Sequence, residues 1–287
     1  MISPKKSKLK ITVARHSGFC FGVKRAYDLA LTNSKNGKKS YVLGRLVHNN
    51  EVVKKLKERG IEEVKKLNQI KSGSIIFTAH GEGPEIYELA KRAGLNVIDA
   101  TCPKVIKVQR LAKNHIEKGD NVIIFGDKEH KEVKSIFAWT DKKAKIVRNL
   151  AELKKFKLDK SKRYILLSQT TQNVEEFQKI IKYLKNELKN FKHFNTICPS
   201  TSDRQEEIRK LAKDNGVIIV IGGKDSANSK RLYDISKSIN SRSHFVENAS
   251  QLKKNWFNDI EKVGIAAGAS TPEWAIKAVV KKISARR

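Results

Sequence analysis

Apolar residues along this chain fall into two rhythms. Short runs rich in Val, Ile and Leu read as strands: KITVA, SYVLG, SIIFTA, LNVIDA, NVIIFG, AKIVRN, YILLSQ, HFNTI, GVIIVIG, HFVEN and VGIAAG. Between many of them lie EVVKKLKERG, PEIYELAKRAG, VEEFQKIIKYLKNEL and RQEEIRKLAKDNG, where apolar side chains recur at helical spacing. Strands alternating with helices predict an α/β protein with mostly parallel sheets. No Pro- or Gly-rich linker interrupts the pattern, so any domains are tightly joined.

The pattern also repeats. Three segments open a helix with a cysteine: CFGVKRAYDLALT from Cys20, CPKVIKVQRLAKN from Cys102 and CPSTSDRQEEIRKLAKD from Cys198. A strand then ends in glycine at Gly44, Gly126 and Gly222, in each case 24 residues after the cysteine. Four residues past each glycine stands a polar side chain, His48, His130 or Ser226. A second strand later runs into a polar turn, with His80 in the first copy, Thr170 and Thr171 in the second, and Ser270 in the third. The expected organisation is three copies of one α/β unit, 1–101, 102–197 and 198–287. Turns at the carboxyl ends of parallel strands are where open α/β folds place ligands. If three like units pack around a pseudo-threefold axis, their cysteines and turns converge on one centre. The alternative is a doubly wound two-domain protein with three unrelated buried thiols; three cysteines in register, each opening a helix, argue against it.

Composition narrows the choice of chemistry. Three widely spaced cysteines do not make a disulfide framework and leave burial, metal ligation or catalysis. No apolar run approaches the roughly 20 residues of a membrane helix, and MISPKKSKLKITVA is not expected to be a secretory leader. A cytoplasmic protein with no membrane association is expected. The net charge of +30 invites a nucleic-acid reading. The basic residues are mostly lysines spread over nearly every helix, often beside Glu, without the interleaved aromatics of RNA-binding surfaces. A solvated lysine-rich surface with no specific nucleic-acid partner is the expectation.

Thiolates bind zinc or iron–sulfur clusters. Structural zinc takes four ligands, usually in close C-x-x-C pairs, and there is no such pair here. A four-iron cluster on three cysteines leaves one iron open to a substrate oxygen. Around it would stand His48, His80, His130, Thr170, Ser226, Asn228 and Ser270, neutral or cationic donors suited to a phosphate or diphosphate, aided by backbone N–H groups after GGKDSANS and GASTPE. Glu132, two residues beyond His130, is the candidate proton carrier. Glu82 reads as an ordinary first-turn acid, and His16, His115, His193 and His244 lie outside the repeated positions.

GFCFGV, LVHNNEV, AHG, DATCP, H-x-EV, SQTT, NTIC followed by DRQ, GGKDSANSKRL and AGASTP, in this order from about residue 11 to about 280, resemble the LytB/IspH family of hydroxymethylbutenyl diphosphate reductases. The resemblance implies a trefoil of three α/β domains around a [4Fe-4S] cluster held by Cys20, Cys102 and Cys198. It implies reductive removal of an allylic hydroxyl from the diphosphate substrate, giving isopentenyl and dimethylallyl diphosphates. It further implies that His48, His80, His130, Thr170, Thr171, Ser226, Asn228 and Ser270 hold the substrate and that Glu132 supplies a proton. A ferredoxin or flavodoxin, acidic and attracted to a basic surface, would be the electron donor. The chain departs from the family pattern at Ala227, between the Ser and Asn of the third turn. It departs again at Lys131, where the pattern has Pro, and at Ser135, where Gly is common.

Overall fold

The first strand, β1 (Lys10–Val13), finds its partner near the opposite end of the sequence. It lies parallel to β12 (Lys262–Ala267), with Ile11 opposite Val263 and Val13 opposite Ile265. The computed structural model describes residues 9–34 and 39–285, and its strands form three four-stranded sheets in which every pairing is parallel. With β10 (Val217–Ile221) and β11 (Ser243–Val246), β1 and β12 make one sheet in the order β1-β12-β10-β11. A second contains β2 (Ser40–Leu43), β3 (Ile61–Val64), β4 (Ser74–Phe77) and β5 (Asn96–Asp99) in the order β3-β2-β4-β5. The third contains β6 (Asn121–Phe125), β7 (Lys145–Val147), β8 (Tyr164–Ser168) and β9 (Phe191–His193) in the order β7-β6-β8-β9. The last two orders are the same, and the first matches them when β1 is taken as the fourth strand after β10, β11 and β12. Residues 10–13, which the sequence groups with the first repeat, therefore belong to the sheet of the third.

The continuous apolar runs have a physical reason. Alternate residues of β6 and β8 enter different cores: Ile123, Phe125 and Leu166 pack with Phe177 and Leu184, whereas Val122, Ile124, Ile165 and Leu167 pack with Val108 and Ile136. In the same way Ile219 and Ile265 face one side, and Ile218, Val220 and Ala266 the other. A parallel sheet covered on both faces needs apolar side chains at every position. The edge strand β3, Ile-Glu-Glu-Val, buries only its two ends, and its shortness and acidic centre hid it from the sequence pattern. HFNTI was expected as a strand, but β9 ends at His193. Beyond it Thr196 takes the place of backbone pairing, its Oγ1 accepting from the Ser168 N–H at 2.7 Å and donating to the Ser168 carbonyl at 2.8 Å.

Helices connect the strands. Those that follow the cysteines are α1 (Phe21–Ser34), α4 (Pro103–Glu117) and α8 (Pro199–Asp214). The others are α2 (Asn50–Glu58), α3 (Pro84–Arg92), α5 (Lys131–Ala138), α6 (Leu150–Lys154), α7 (Val174–Glu187), α9 (Ala227–Ile239) and α10 (Glu273–Ser284). Contacts divide the described residues into two compact units. One comprises those up to Cys20, His48–Val52 and Pro199 onward; the other comprises those of Phe21–Val47 and Val53–Cys198. Among the described residues no helix is long and apolar enough to cross a membrane.

Candidate functional site

Each cysteine occupies the same station. It follows the fourth strand of a sheet, immediately precedes a helix, and donates its backbone N–H to the carbonyl two residues past the end of the third strand. The bonds are Cys20 to Ala269 (3.2 Å), Cys102 to Ala79 (3.0 Å) and Cys198 to Thr170 (2.9 Å). None of the three cysteines is in a disulfide, and all three are half-buried. The repeated glycines are also equivalent: the N–H groups of Gly44, Gly126 and Gly222 donate to Val64, Val147 and Val246, the last residues of β3, β7 and β11. In this register the residues after the three carbonyls are His80, Thr171 and Ser270. Among the described residues no three His, Cys, Asp or Glu side chains gather around one metal-ion position.

The unit containing Cys20 brings together the third repeat and the His48 segment. Ser226 caps α9: its Oγ accepts from the Ser229 N–H (3.3 Å), the Ser229 hydroxyl (2.9 Å) and the Ser270 hydroxyl (3.3 Å). Asn228, 5% exposed, carries a buried Nδ2 with no hydrogen-bond partner in the protein. This amide lies at the N-terminus of α9, where backbone N–H groups and the helix dipole favour an anion. The turn is tight because its glycines allow it. A Cβ on Gly223 would stand 1.8 Å from the His48 carbonyl oxygen, and Cβ atoms on Gly222 and Gly268 would stand 2.1 and 1.9 Å from Ser229 Oγ. His48 is followed by Asn49, whose Oδ1 accepts from the N–H groups of Glu51 and Val52. Glu51 in turn accepts from Trp274 Nε1 at 3.1 Å.

The other unit links its two cysteines through a chain of side chains. Next to the carbonyl that anchors Cys102 stands His80, with its Nδ1 3.3 Å from Thr78 Oγ1 and its ring edge-on to His130 at 5.4 Å. His130 caps α5, its Nδ1 accepting from the Glu132 N–H at 3.2 Å. Glu132 is 2% exposed. Its Oε1 accepts from the Thr170 N–H at 2.6 Å, and its Oε2 from the Thr170 hydroxyl at 2.8 Å. The Thr170 carbonyl anchors Cys198. Burial pushes the Glu132 carboxyl up to about 7, with the two Thr170 hydrogen bonds opposing the rise. A carboxyl that gains and loses its proton near neutrality, with fixed neighbours on both oxygens, suits proton delivery. Thr171 is half-buried and accepts from Gln169 Nε2 at 2.7 Å.

Four residues given no role from the sequence, Gln169, Glu82, Lys131 and Ser135, also shape this unit. Gln169, inside the SQTT motif, ties the turn after β6 to the turn after β8, since its Oε1 accepts from the Asp127 N–H at 3.1 Å. Glu82 lies ahead of α3, beyond the Gly83 cap, and is 8% exposed, so it is a buried carboxylate and not a first-turn acid. Its partner is Lys131, whose Nζ stands 2.5 Å from Glu82 Oε1. Burial raises the Glu82 carboxyl, and the Lys131 ammonium opposes the rise. Ser135 is absorbed by a hydrogen bond from Gln109 Nε2 at 2.6 Å, beside the left-handed turn at Gly81 (φ +76°). The four unassigned histidines have ordinary surroundings: His16 on Glu207, His115 on Asp120, His193 stacked on Phe191 and His244 on Trp256.

Comparison with known proteins adds an independent line. The family model described as LytB protein matches residues 11–284. A Campylobacter hominis protein named 4-hydroxy-3-methylbut-2-enyl diphosphate reductase is 42% identical over 278 residues, covering 96% of this chain and 99% of that one. Among solved structures, the E-1-hydroxy-2-methyl-but-2-enyl-4-diphosphate reductase of Plasmodium falciparum superimposes with a TM-score of 0.91 at 29% identity, covering 96% of this chain and 87% of that one. A structure of (E)-4-hydroxy-3-methyl-but-2-enyl diphosphate reductase, described as the terminal enzyme of the non-mevalonate pathway, gives a TM-score of 0.70 at 39% identity, with 96% and 99% covered.

Proposed function

The chain belongs to the LytB protein family and acts as a reductase of 4-hydroxy-3-methylbut-2-enyl diphosphate in the non-mevalonate isoprenoid pathway; on that premise we propose which residues bind the substrate, hold the cofactor and move the proton. The reaction replaces an allylic C–OH by C–H. Two electrons and two protons enter, water leaves, and isopentenyl or dimethylallyl diphosphate remains.

Cys20, Cys102 and Cys198 are the residues that would hold a [4Fe-4S] cluster. The donor set fits: three half-buried thiols outside any disulfide, each at the positive end of a helix and each fixed by the same backbone hydrogen bond. When bound, such a cluster supplies electrons and an iron site for the hydroxyl oxygen. Ser226, Asn228 and Ser270 receive diphosphate oxygens at the start of α9, and the buried, unpaired Asn228 amide is the donor best placed to need such a partner. His48, His80, His130 and Thr171 complete the substrate contacts.

The observation that carries the mechanism is Glu132, buried and poised near neutrality between His130 and Thr170. Below about pH 7 its carboxyl holds a proton to give to the departing hydroxyl, and Thr170 keeps both oxygens in place. The protein donor would be a ferredoxin or flavodoxin in the cytoplasm, drawn to a surface with 60 Lys and Arg against 30 Asp and Glu. The test is the iron and acid-labile sulfide content of anaerobically purified protein, together with its turnover on a chemical reductant. Replacing each cysteine by Ser should deplete both elements and nearly abolish turnover. A colourless, iron-free protein with full turnover would end the proposal.

A further inference from the structure

Lys131 is a cation at the first position of α5, where the helix dipole disfavours positive charge and where proline is the residue best suited to the geometry. Its placement is explained by what the ammonium touches. Nζ donates to the Leu43 carbonyl at 2.5 Å and stands 2.5 Å from Glu82 Oε1. The Glu82 main chain is held as well, its carbonyl accepting from Trp139 Nε1 at 3.0 Å. One side chain thus ties together the end of β2 and the turns after β4 and β6. These two turns carry the edge-on histidines: His80 lies two residues before Glu82, and His130 immediately precedes Lys131. Glu132 does not depend on this strap, because Thr170 holds both of its oxygens.

We propose that Lys131 and Glu82 are a positioning pair that sets the spacing of His80 and His130 and thereby the affinity for the substrate's diphosphate. The proposal rests on the reading of both histidines as substrate contacts. The half-buried Lys131 ammonium is ion-paired with the buried Glu82 carboxylate and donates to the Leu43 carbonyl, so it is held from two sides. Removing either charge leaves the other uncompensated and frees the two turns to move apart.

The experiment uses the anaerobically purified holoenzyme. It measures kcat and KM with a chemical reductant, calorimetric binding of inorganic diphosphate, and Tm. The variants are Lys131→Met, Glu82→Gln, Lys131→Pro and the Met/Gln double variant. Each single variant should raise KM and the diphosphate Kd about tenfold with kcat held within about twofold, and the double should be no worse than the worse single. Lys131→Pro keeps a favourable helix start, so an equal loss there assigns the effect to the charge and not to the backbone. Lys131→Arg, which retains a cation, should restore KM to within about twofold. Unchanged KM and Kd in Lys131→Met and Glu82→Gln, a normal Lys131→Pro, or losses that add in the double variant would each overturn the pair. His80→Asn and His130→Asn serve as controls. If they leave diphosphate binding intact, the reading of the histidines fails; if they weaken it and the strap variants do not, the positioning pair fails.

Discussion

Replacing Glu132 by Gln tests the buried acid through stability as well as rate. Gln keeps the shape, still accepts from the Thr170 N–H, and lets the Thr170 hydroxyl turn to accept from the new amide, so the substitution itself costs little. The native carboxyl is raised from 4.5 to about 7, which is worth about 3 kcal/mol between protonation states. Between those two values the folded protein binds more protons than the unfolded chain. Its stability is therefore highest below the lower value and falls as pH rises through about 7. The Gln variant lacks this dependence. Tm of the variant minus Tm of the native protein should climb by roughly 5–10 °C from about pH 5 to about pH 8, since 1 kcal/mol moves Tm by about 2–4 °C in domains of comparable size. Subtraction cancels every other titrating group. In the same protein kcat should fall by about two orders of magnitude or more, with iron content and diphosphate binding retained. A Tm difference that stays flat across the range would refute the reasoning, because the carboxyl would then titrate as an ordinary one.

Thr170→Val removes one of the two hydrogen bonds that favour the Glu132 carboxylate, so the alkaline limb of the kcat profile should move to higher pH; an unmoved limb would detach that limb from Glu132. Gly223→Ala drives a Cβ into the His48 carbonyl, which a rigid backbone cannot absorb; denaturant melts should register a loss of about 1–3 kcal/mol, and KM should rise with it. Raising ionic strength should slow reduction by an acidic protein donor far more than reduction by a small uncharged one, because steering by surface lysines is screened over about 8 Å at physiological salt. Equal slowing with both donors would argue against steering.

Much of this architecture is legible in the sequence because the fold repeats itself. Cys20, Cys102 and Cys198 could be aligned only because the same helix start and the same glycine recur at a fixed interval, and the structure gives them matching backbone hydrogen bonds. Contacts across the repeat are less visible. Nothing in the spacing of Glu132 and Thr170, 38 residues apart, indicates that one hydroxyl and one N–H hold both carboxylate oxygens. Lys131 stands out in the sequence only as a departure from a motif, since a long flexible side chain carries no signature of its direction. The burial of Glu82 is hidden for a related reason: an acid just ahead of a helix is ordinarily exposed, and its partners Lys131 and Trp139 arrive from another part of the chain. The edge strand β3 and the end of β9 escaped because two apolar residues, or a threonine that bonds like backbone, leave no periodic trace.

The pairing of β1 with β12 sets a timetable for synthesis. β1 leaves the ribosome roughly 250 residues ahead of its partner, which begins at Lys262, so among the described strands it is made early and placed late. The sheets of β2 to β5 and β6 to β9 each draw on consecutive sequence and can close while translation continues. The remaining sheet must wait. Until then Cys20 has no Ala269 carbonyl to anchor its turn, whereas Cys102 and Cys198 follow their own anchors, Ala79 and Thr170, in the chain. A nascent chain halted before β12 would therefore present the Cys102 and Cys198 turns anchored and the Cys20 turn loose.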